Sequence, residues 1–265
     1  MIGIIGSMPQ EIERIRQELE GERTEPIAGR EFLIGRVAGT ECVLVFSHWG
    51  KVAAALTATI LIERFHVDLI LFTGVAGAAH PMLEIGDVVI ADKLIQHDFD
   101  ISAAGIVSDA GELQKFEIPF LGIRYFSVNP ELVEMGRNAA ERFLHGENPP
   151  PIPARDQVES KLLKRRGRIY SGIVASGDQF IAHPAKLEEL RAAIPELLAI
   201  EMEGAAVAQV CHAYQLPYLV LRTISDKADH TAAVDFLSFV KNVASEYSYG
   251  VLLHLLKDLK TKEGM

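Results

Sequence analysis

The chain has 265 residues, 26 basic and 36 acidic side chains and a formal charge of −10, and 49% of it is apolar. That length fits one large α/β domain with a sizeable core. The acidic balance and the lack of a basic run argue against nucleic acid or anionic membrane as partners, although a local site can still suit a small anion. The opening Met1-Ile2-Gly3-Ile4-Ile5-Gly6 is too short, and too poor in basic flanks, for a secretory leader, so residues 2–5 read as a buried strand. Gly6-Ser7-Met8-Pro9 then turns the chain, with Pro9 suited to the first turn of a helix carrying Ile12, Ile15 and Leu19. Residues 32–37 and 42–47 predict a β-hairpin, and 52–65 an alanine-rich helix after Gly50. A strand over 68–73 closes on a turn, Gly74-Val75-Ala76-Gly77, and Gly86-Asp87 opens another strand over 88–95.

Residues 96–126 are irregular, and the partly apolar stretch 94–106 has no evident partner in its own sheet. A helix follows over 130–143. Residues 147–168, with Pro149-Pro150-Pro151-Ile152-Pro153 and a basic cluster, read as an exposed excursion. Strands over 168–175, 198–202 and 218–224 alternate with helices over 184–193 and 204–214, and one long helix starts near Val234. The alternation predicts a single-domain α/β fold, a three-layer α/β/α sandwich with a mixed central sheet. No stretch approaches the roughly 18 to 20 unbroken apolar residues of a membrane span. Cys42 and Cys211, far apart and outside any CxxC motif, read as structural thiols of a reducing compartment, the cytoplasm.

In open α/β sheets ligands gather beyond the carboxyl ends of strands. Here those ends carry Ser7 and Glu11; Ser47, His48 and Trp49; Gly74 to Gly77; Ser176-Gly177-Asp178-Gln179-Phe180-Ile181; Glu201-Met202-Glu203; and Arg222-Thr223-Ile224-Ser225-Asp226. Carboxylates and an arginine at such positions are costly to desolvate unless paired or used. Structural readings stand beside the functional ones. Glu11 suits a helix's first turn, Glu201 and Glu203 can pair with Arg222, and Asp226 can cap the following chain. There is no GxGxxG, P-loop or HExxH motif. His97-Asp98-Phe99-Asp100 is a weak metal candidate, because an extended backbone sets His97 opposite to the two aspartates.

Taken in order, these motifs, with Gly50-Lys51-Val52-Ala53-Ala54, Gly86-Asp87-Val88-Val89 and Gly204-Ala205, resemble the 5′-methylthioadenosine/S-adenosylhomocysteine nucleosidases of the nucleoside phosphorylase superfamily. The resemblance runs through nearly the whole chain. It implies a nucleoside phosphorylase-like fold and hydrolysis of the N-glycosidic bond of adenine nucleosides, with no cofactor or metal. It also implies a homodimer in which residues 97–104 of one subunit approach the other's site. The departing purine needs a proton and the sugar becomes oxocarbenium-like. By resemblance Asp226 is the general acid toward N7, held protonated by burial and oriented by Ser225. Phe180 stacks on the purine and the backbone of Ile181 bonds its edge. Glu203 binds the ribose hydroxyls, Met202 packs on the sugar, and Val75, Ala76 and Gly77 line its wall. Glu11 activates water, with Arg222 and Glu203 holding it, and Glu201 supports the site.

Two alternatives stand beside this reading. Phosphorolysis needs arginine forks for phosphate, yet the first turn offers Ser7 and Glu11, and the strand before Gly74 ends in Phe72-Thr73. A noncatalytic nucleoside-binding protein on the same fold has no use for Glu11, Glu203 and Asp226 together. Three departures from the family, Trp49 for a modest aliphatic residue, Ala104 for a bulkier one and a shorter connection between Asp226 and Phe236, bear on the substrate's 5′ substituent.

Overall fold

Ile2–Gly6 (β1) is buried at every position and lies inside a mixed sheet in the computed structural model, which describes residues 1–105, 107–108, 111–150 and 163–263. The chain continues with α1 (Pro9–Gln17), β2 (Glu20–Ile27), β3 (Arg30–Val37), β4 (Thr40–Phe46), α2 (Lys51–Phe65), β5 (Leu69–Ala78), β6 (Val88–Gln96), β7 (Val107–Ser108), β8 (Gly111–Glu112) and β9 (Phe126–Ser127). Its second half contains α3 (Pro130–His145), β10 (Ile169–Ser176), α4 (Pro184–Ala193), β11 (Leu197–Glu201), α5 (Gly204–Tyr214), β12 (Tyr218–Asp226), α6 (Ala232–Asn242) and α7 (Ala244–Glu263).

The strand order is β11-β10-β6-β12-β5-β1-β4-β3-β2. The expected hairpin is β3–β4, antiparallel through Phe32↔Val45 and Gly35↔Cys42. β2 adds an edge strand that the sequence did not announce. Its run Glu20-Gly21-Glu22-Arg23-Thr24-Glu25 lacks apolar alternation, and the same charges, with Pro26, blunt an exposed edge. At the other end β11 pairs back onto β5 through Ala199↔Ala78 and Ile200↔Gly77, so β5, β12, β6, β10 and β11 close into a ring. Two helical layers flank the strands, α7 packing between α1 and α3, and α2 against α5.

Several expectations change. Gly74 to Gly77 is not a turn, because β5 runs straight through to Ala78, and strand glycines mark close approach of other groups. Residues 94–96 have sheet partners, since β6 pairs with β10 as far as Ser176↔Gln96. The long final helix is two, interrupted at Val243, whose amide closes α6 on the carbonyl of Phe239. β12 extends to Asp226 by means of a bulge, with Ile224 opposite Ala76 and Asp226 opposite Gly77; such bulges re-aim side chains. Both cysteines are buried and unpaired, and among the described residues no helix is long and apolar enough to cross a membrane.

Of the expected excursion over 147–168, residues 151–162 lie outside the described residues. Its far end is pinned. Leu163 is buried, and Arg165 meets buried Asp87 in a fork, Nη1 to Oδ1 at 2.7 Å and Nη2 to Oδ2 at 2.8 Å. Asp87 also accepts from the amides of Glu84 and Arg168, each at 2.8 Å.

Candidate active site

The ring of strands gathers its carboxyl ends in one place. Gln96, Ser176 and Glu201 stand in register at the ends of β6, β10 and β11, and Asp226 lies beside Gly77. Between them opens a cavity of about 380 Å³. It is lined by Trp49, Val75, Ala76, Gly77, Phe180, Ile181, Glu201, Met202, Glu203, Ser225 and Asp226. These are all the expected site residues except Glu11 and Arg222, which lie fully buried behind the wall. The glycines of β5 explain how they fit. A Cβ on Gly74 would stand 3.1 Å from Ser7 Oγ, 3.2 Å from Glu11 Oε1 and 3.4 Å from Arg222 Nη1. One on Gly77 would lie 2.9 Å from Asp226 Oδ1.

Glu11 sits in the first turn of α1 and serves its own helix entrance. Its Oε2 accepts from the amides of Ser7 and Met8, both at 2.8 Å, and from Ser7 Oγ at 3.1 Å. Its Oε1 accepts from the amide of Val75 at 3.0 Å, which ties α1 to β5. Burial pushes this carboxyl up to about 7, against the opposing pull of Arg222 and the hydrogen bonds. Asp226 is likewise buried. Its Oδ2 accepts from Ser225 Oγ at 2.8 Å and its Oδ1 from the amide of Ala228 at 2.9 Å, and burial lifts it to about 6.

Of the two partners the sequence offers Arg222, the structure pairs it with Glu201 and, among the described residues, not with Glu203. Its Nη2 lies 2.6 Å and its Nε 3.2 Å from Glu201 Oε2. Nη1 donates to the carbonyls of Leu221 (2.9 Å) and Phe72 (3.2 Å), and the guanidinium lies over the Phe72 ring at 4.1 Å. Glu201 in turn accepts from Ser176 Oγ and from the amides of Glu203 and Gly204, which cap α5. Its oxygens are therefore committed to the scaffold. The reason is register: Glu201 is the last residue of β11 and points along the strand ends toward β12, whereas Glu203 has already turned into the entrance of α5. Glu203 Oε1 accepts from the amide of Gly50 at 2.8 Å, and burial together with the Glu201 charge lifts its carboxyl to about 8.

The mouth is apolar. Trp49 is 63% exposed, and its Nε1 donates to Met8 Sδ at 3.0 Å. Phe180 meets Phe236 edge to face, with centroids 5.6 Å apart. Met8, Gln179, Ile200, Ala228, Ala233, Phe236 and Leu237 also line the cavity and are not among the site residues expected from the sequence. Phe236 and Leu237 carried a usable signal, being bulky apolar residues one short loop beyond Asp226, but they were absorbed into a generic C-terminal helix. Ala104 lies in an exposed 3₁₀ turn and is not part of the lining. Among the described residues no group of three or more His, Cys, Asp or Glu could hold a metal ion. Asp98 is instead held by Lys51 and by the amide of Asp178.

The family model of the phosphorylase superfamily matches residues 1–257, the strands, cavity and buried acids just described included. A 5′-methylthioadenosine/S-adenosylhomocysteine nucleosidase of Geobacillus kaustophilus is 35% identical over 259 residues, 98% of this chain and 97% of its own. The solved nucleosidase of the same kind from S. pneumoniae, bound to the transition-state inhibitor MT-ImmA, superposes with a TM-score of 0.79 at 35% identity, covering 97% and 99% of the two chains. A futalosine hydrolase of Helicobacter pylori gives 0.79 at 30% identity, covering 97% of each chain. The chain belongs to the 5′-methylthioadenosine/S-adenosylhomocysteine nucleosidase family.

Glu203 makes a stability test of this site. A carboxyl raised on folding contributes stability that is fully present below its ordinary value of 4.5 and is lost as pH climbs to about 8. Glu203→Gln removes the titration, and its amide oxygen can still accept from Gly50. The variant's Tm should exceed that of the wild type by about 2 °C or more near pH 9, the effect of about 1 kcal/mol in a domain of this length. The gap should shrink toward about pH 4.5. A pH-independent gap in thermal melts counts against a buried, proton-holding Glu203.

Proposed function

We propose that the protein hydrolyses the N-glycosidic bond of adenine nucleosides such as 5′-methylthioadenosine and S-adenosylhomocysteine, releasing adenine and the 5-substituted ribose. The observation that carries this reading is the placing of two buried carboxyls raised toward neutrality about the Val75-Ala76-Gly77 wall, Asp226 in the cavity lining and Glu11 behind it, held by the Val75 amide. Asp226, steadied by Ser225 and the Ala228 amide and lifted by burial to about 6, retains its proton in a fraction of the molecules near neutral pH, and those deliver it to N7 as the C1′–N9 bond breaks. Glu11, as carboxylate, takes a proton from a water at the cavity floor beside Ser7. Glu203 meets the ribose hydroxyls and Met202 packs on the sugar. Phe180 stacks on the purine, whose edge is met by the backbone of Ile181.

Water rather than phosphate is the nucleophile because the one buried arginine beside Glu11 has no fork to offer. Its Nη2, Nε and Nη1 are held by Glu201 and two carbonyls, while Glu11 repels an anion. A role in methionine salvage follows from methylthioadenosine as substrate, and the buried free thiols suit the cytoplasm. The protein works as a homodimer: α2 presents Val52 (81% exposed) and Leu56 outward next to Trp49, an apolar face that a second copy would cover. Residues 97–104 of one subunit then approach the other's cavity.

Asp226→Asn should lower kcat by roughly 10² to 10⁴-fold, the worth of general acid catalysis, while substrate binding survives. The wild-type kcat/KM should peak between about pH 6 and 7, where the acid–base pair shares one proton. Free adenine and a reducing sugar are expected without phosphate, and a sugar 1-phosphate among the products would sink the hydrolase reading. Analytical ultracentrifugation at assay concentration should find a dimer, and a fully active monomer would overturn that part. The apolar rim at Trp49 and Met8 favours a compact apolar 5′ substituent, so methylthioadenosine should be preferred over S-adenosylhomocysteine by tens of fold, about 1 to 3 kcal/mol. Trp49→Ile should narrow that ratio through KM; an unchanged ratio removes Trp49 from the 5′ pocket.

A further inference from the structure

The N-terminus of α2 meets two acidic side chains from distant parts of the chain. The amide of Gly50 donates to Glu203 at 2.8 Å, and the next amide, that of Lys51, donates to Asp178 Oδ1 at 2.8 Å. Gly50 has φ +88°, and a Cβ there would lie 2.9 Å from Asp178 Oδ1, so the carboxylate sits tightly on the helix end. The amide of Asp178 is held in turn, donating to Asp98 Oδ2 at 2.8 Å. Asp98 Oδ1 receives the ammonium of Lys51, which also donates to Gln96 Oε1 at 3.2 Å. Burial acts to raise the Asp98 carboxyl, but Lys51 and the Asp178 amide outweigh it and hold it below the ordinary range.

These bonds form a closed circuit from the Lys51 ammonium through Asp98, the Asp178 amide and the Asp178 carboxylate back to the Lys51 amide. Asp178 is two residues before Phe180 and three before Ile181, in a segment outside any helix or strand. Beside that segment the ring of buried His97 packs closely on Gly177, where a Cβ would stand 2.3 Å from a ring carbon. Among the described residues neither ring nitrogen of His97 has a hydrogen-bond partner, and its contact with the loop is one of packing. Neither Lys51 nor Asp98 lines the cavity.

We infer that Lys51 and Asp98 are positioning residues, which hold the loop over 177–181 against the end of α2 and so set how tightly the nucleobase is gripped. This deepens the nucleosidase reading and rests on it for the identity of the base. The acid and the base stand on β12 and α1, outside the circuit. Loss of the Lys51 ammonium therefore leaves proton delivery intact and releases Asp98 Oδ1, which loosens the carboxylate that holds the Asp178 amide and, through it, the loop. A loop that grips the base equally in ground and transition states acts on KM and not on kcat.

The test measures steady-state kinetics with methylthioadenosine and, separately, adenine affinity by calorimetry. Lys51→Met should raise KM and the adenine Kd by about tenfold or more, with kcat within about threefold of wild type. Lys51→Arg, which keeps the charge, should recover most of both. Asp98→Asn retains an acceptor for the Asp178 amide but loses the ion pair, and should move both constants in the same direction by less. It carries the test if Lys51→Met does not fold. Unchanged KM and Kd in the variants that fold, or Met and Arg variants that behave alike, overturn the inference. A wild type that releases no adenine retires the hydrolase reading instead, and the adenine titration then decides the role of the circuit.

Discussion

Arg222 and Glu201 lie side by side with almost no exposure, the guanidinium further bound to two carbonyls and stacked on Phe72. The charge balance of the site depends on that pair. One cation stands among four buried carboxyls, and Glu201 consumes it. For Glu11 and Glu203, Arg222 is only an opposing pull, and burial is the largest influence on Glu11, Glu203 and Asp226, raising all three. Carboxyls that ionise near neutrality are what acid–base chemistry on a nucleoside requires. Exchanging the partners, so that Arg222 faced Glu203, would have neutralised the group assigned to the sugar and left Glu201 charged under the entrance of α5.

The strand β5 makes this geometry sterically feasible. Its glycines are not hinges; they are thin places in a wall. Gly74 lets Ser7, Glu11 and Arg222 close in from behind, and Gly77 admits Asp226 from the next strand across the bulge at Ser225. The ring closure from β11 to β5 then brings Ile200 opposite Gly77, which places the scaffold pair beside the acid. Sheet closure, bulge and glycines act together. A side chain at either glycine would push a carboxyl out of position.

How much of this could be read from the sequence follows from the range of the forces involved. Strand ends announce themselves locally, as apolar runs giving way to polar clusters, so Glu11, Ser225 and Asp226 were legible as strand-end groups and most helices were legible from spacing. Partner choice was not. Whether Arg222 faces Glu201 or Glu203 depends on how β11 and β12 lie across the ring from each other, which no local pattern encodes. β2 was invisible because an edge strand that avoids aggregation carries the charges that make it resemble a loop. Gly74-Val75-Ala76-Gly77 looked like a turn because glycine spacing reports backbone freedom and close approach with the same letter.

The same charge arrangement bears on why a fold shared with phosphorylases suits water here. A phosphate would enter as an anion and need several free donors to offset its desolvation. Glu11 is an anion when ionised, and amides and a hydroxyl of its own surroundings hold both its oxygens while Oε1 takes only one donor, so it is fixed in place with room to accept from a water. Arg222 cannot turn toward the nucleophile without abandoning Glu201 in a dry interior, and breaking a buried pair costs about 3 to 5 kcal/mol. Both obstacles are built into the scaffold and not into the cavity surface. Conversion to phosphorolysis would therefore require rebuilding the first turn of α1 and the end of β11 together, and no single substitution in the lining supplies that.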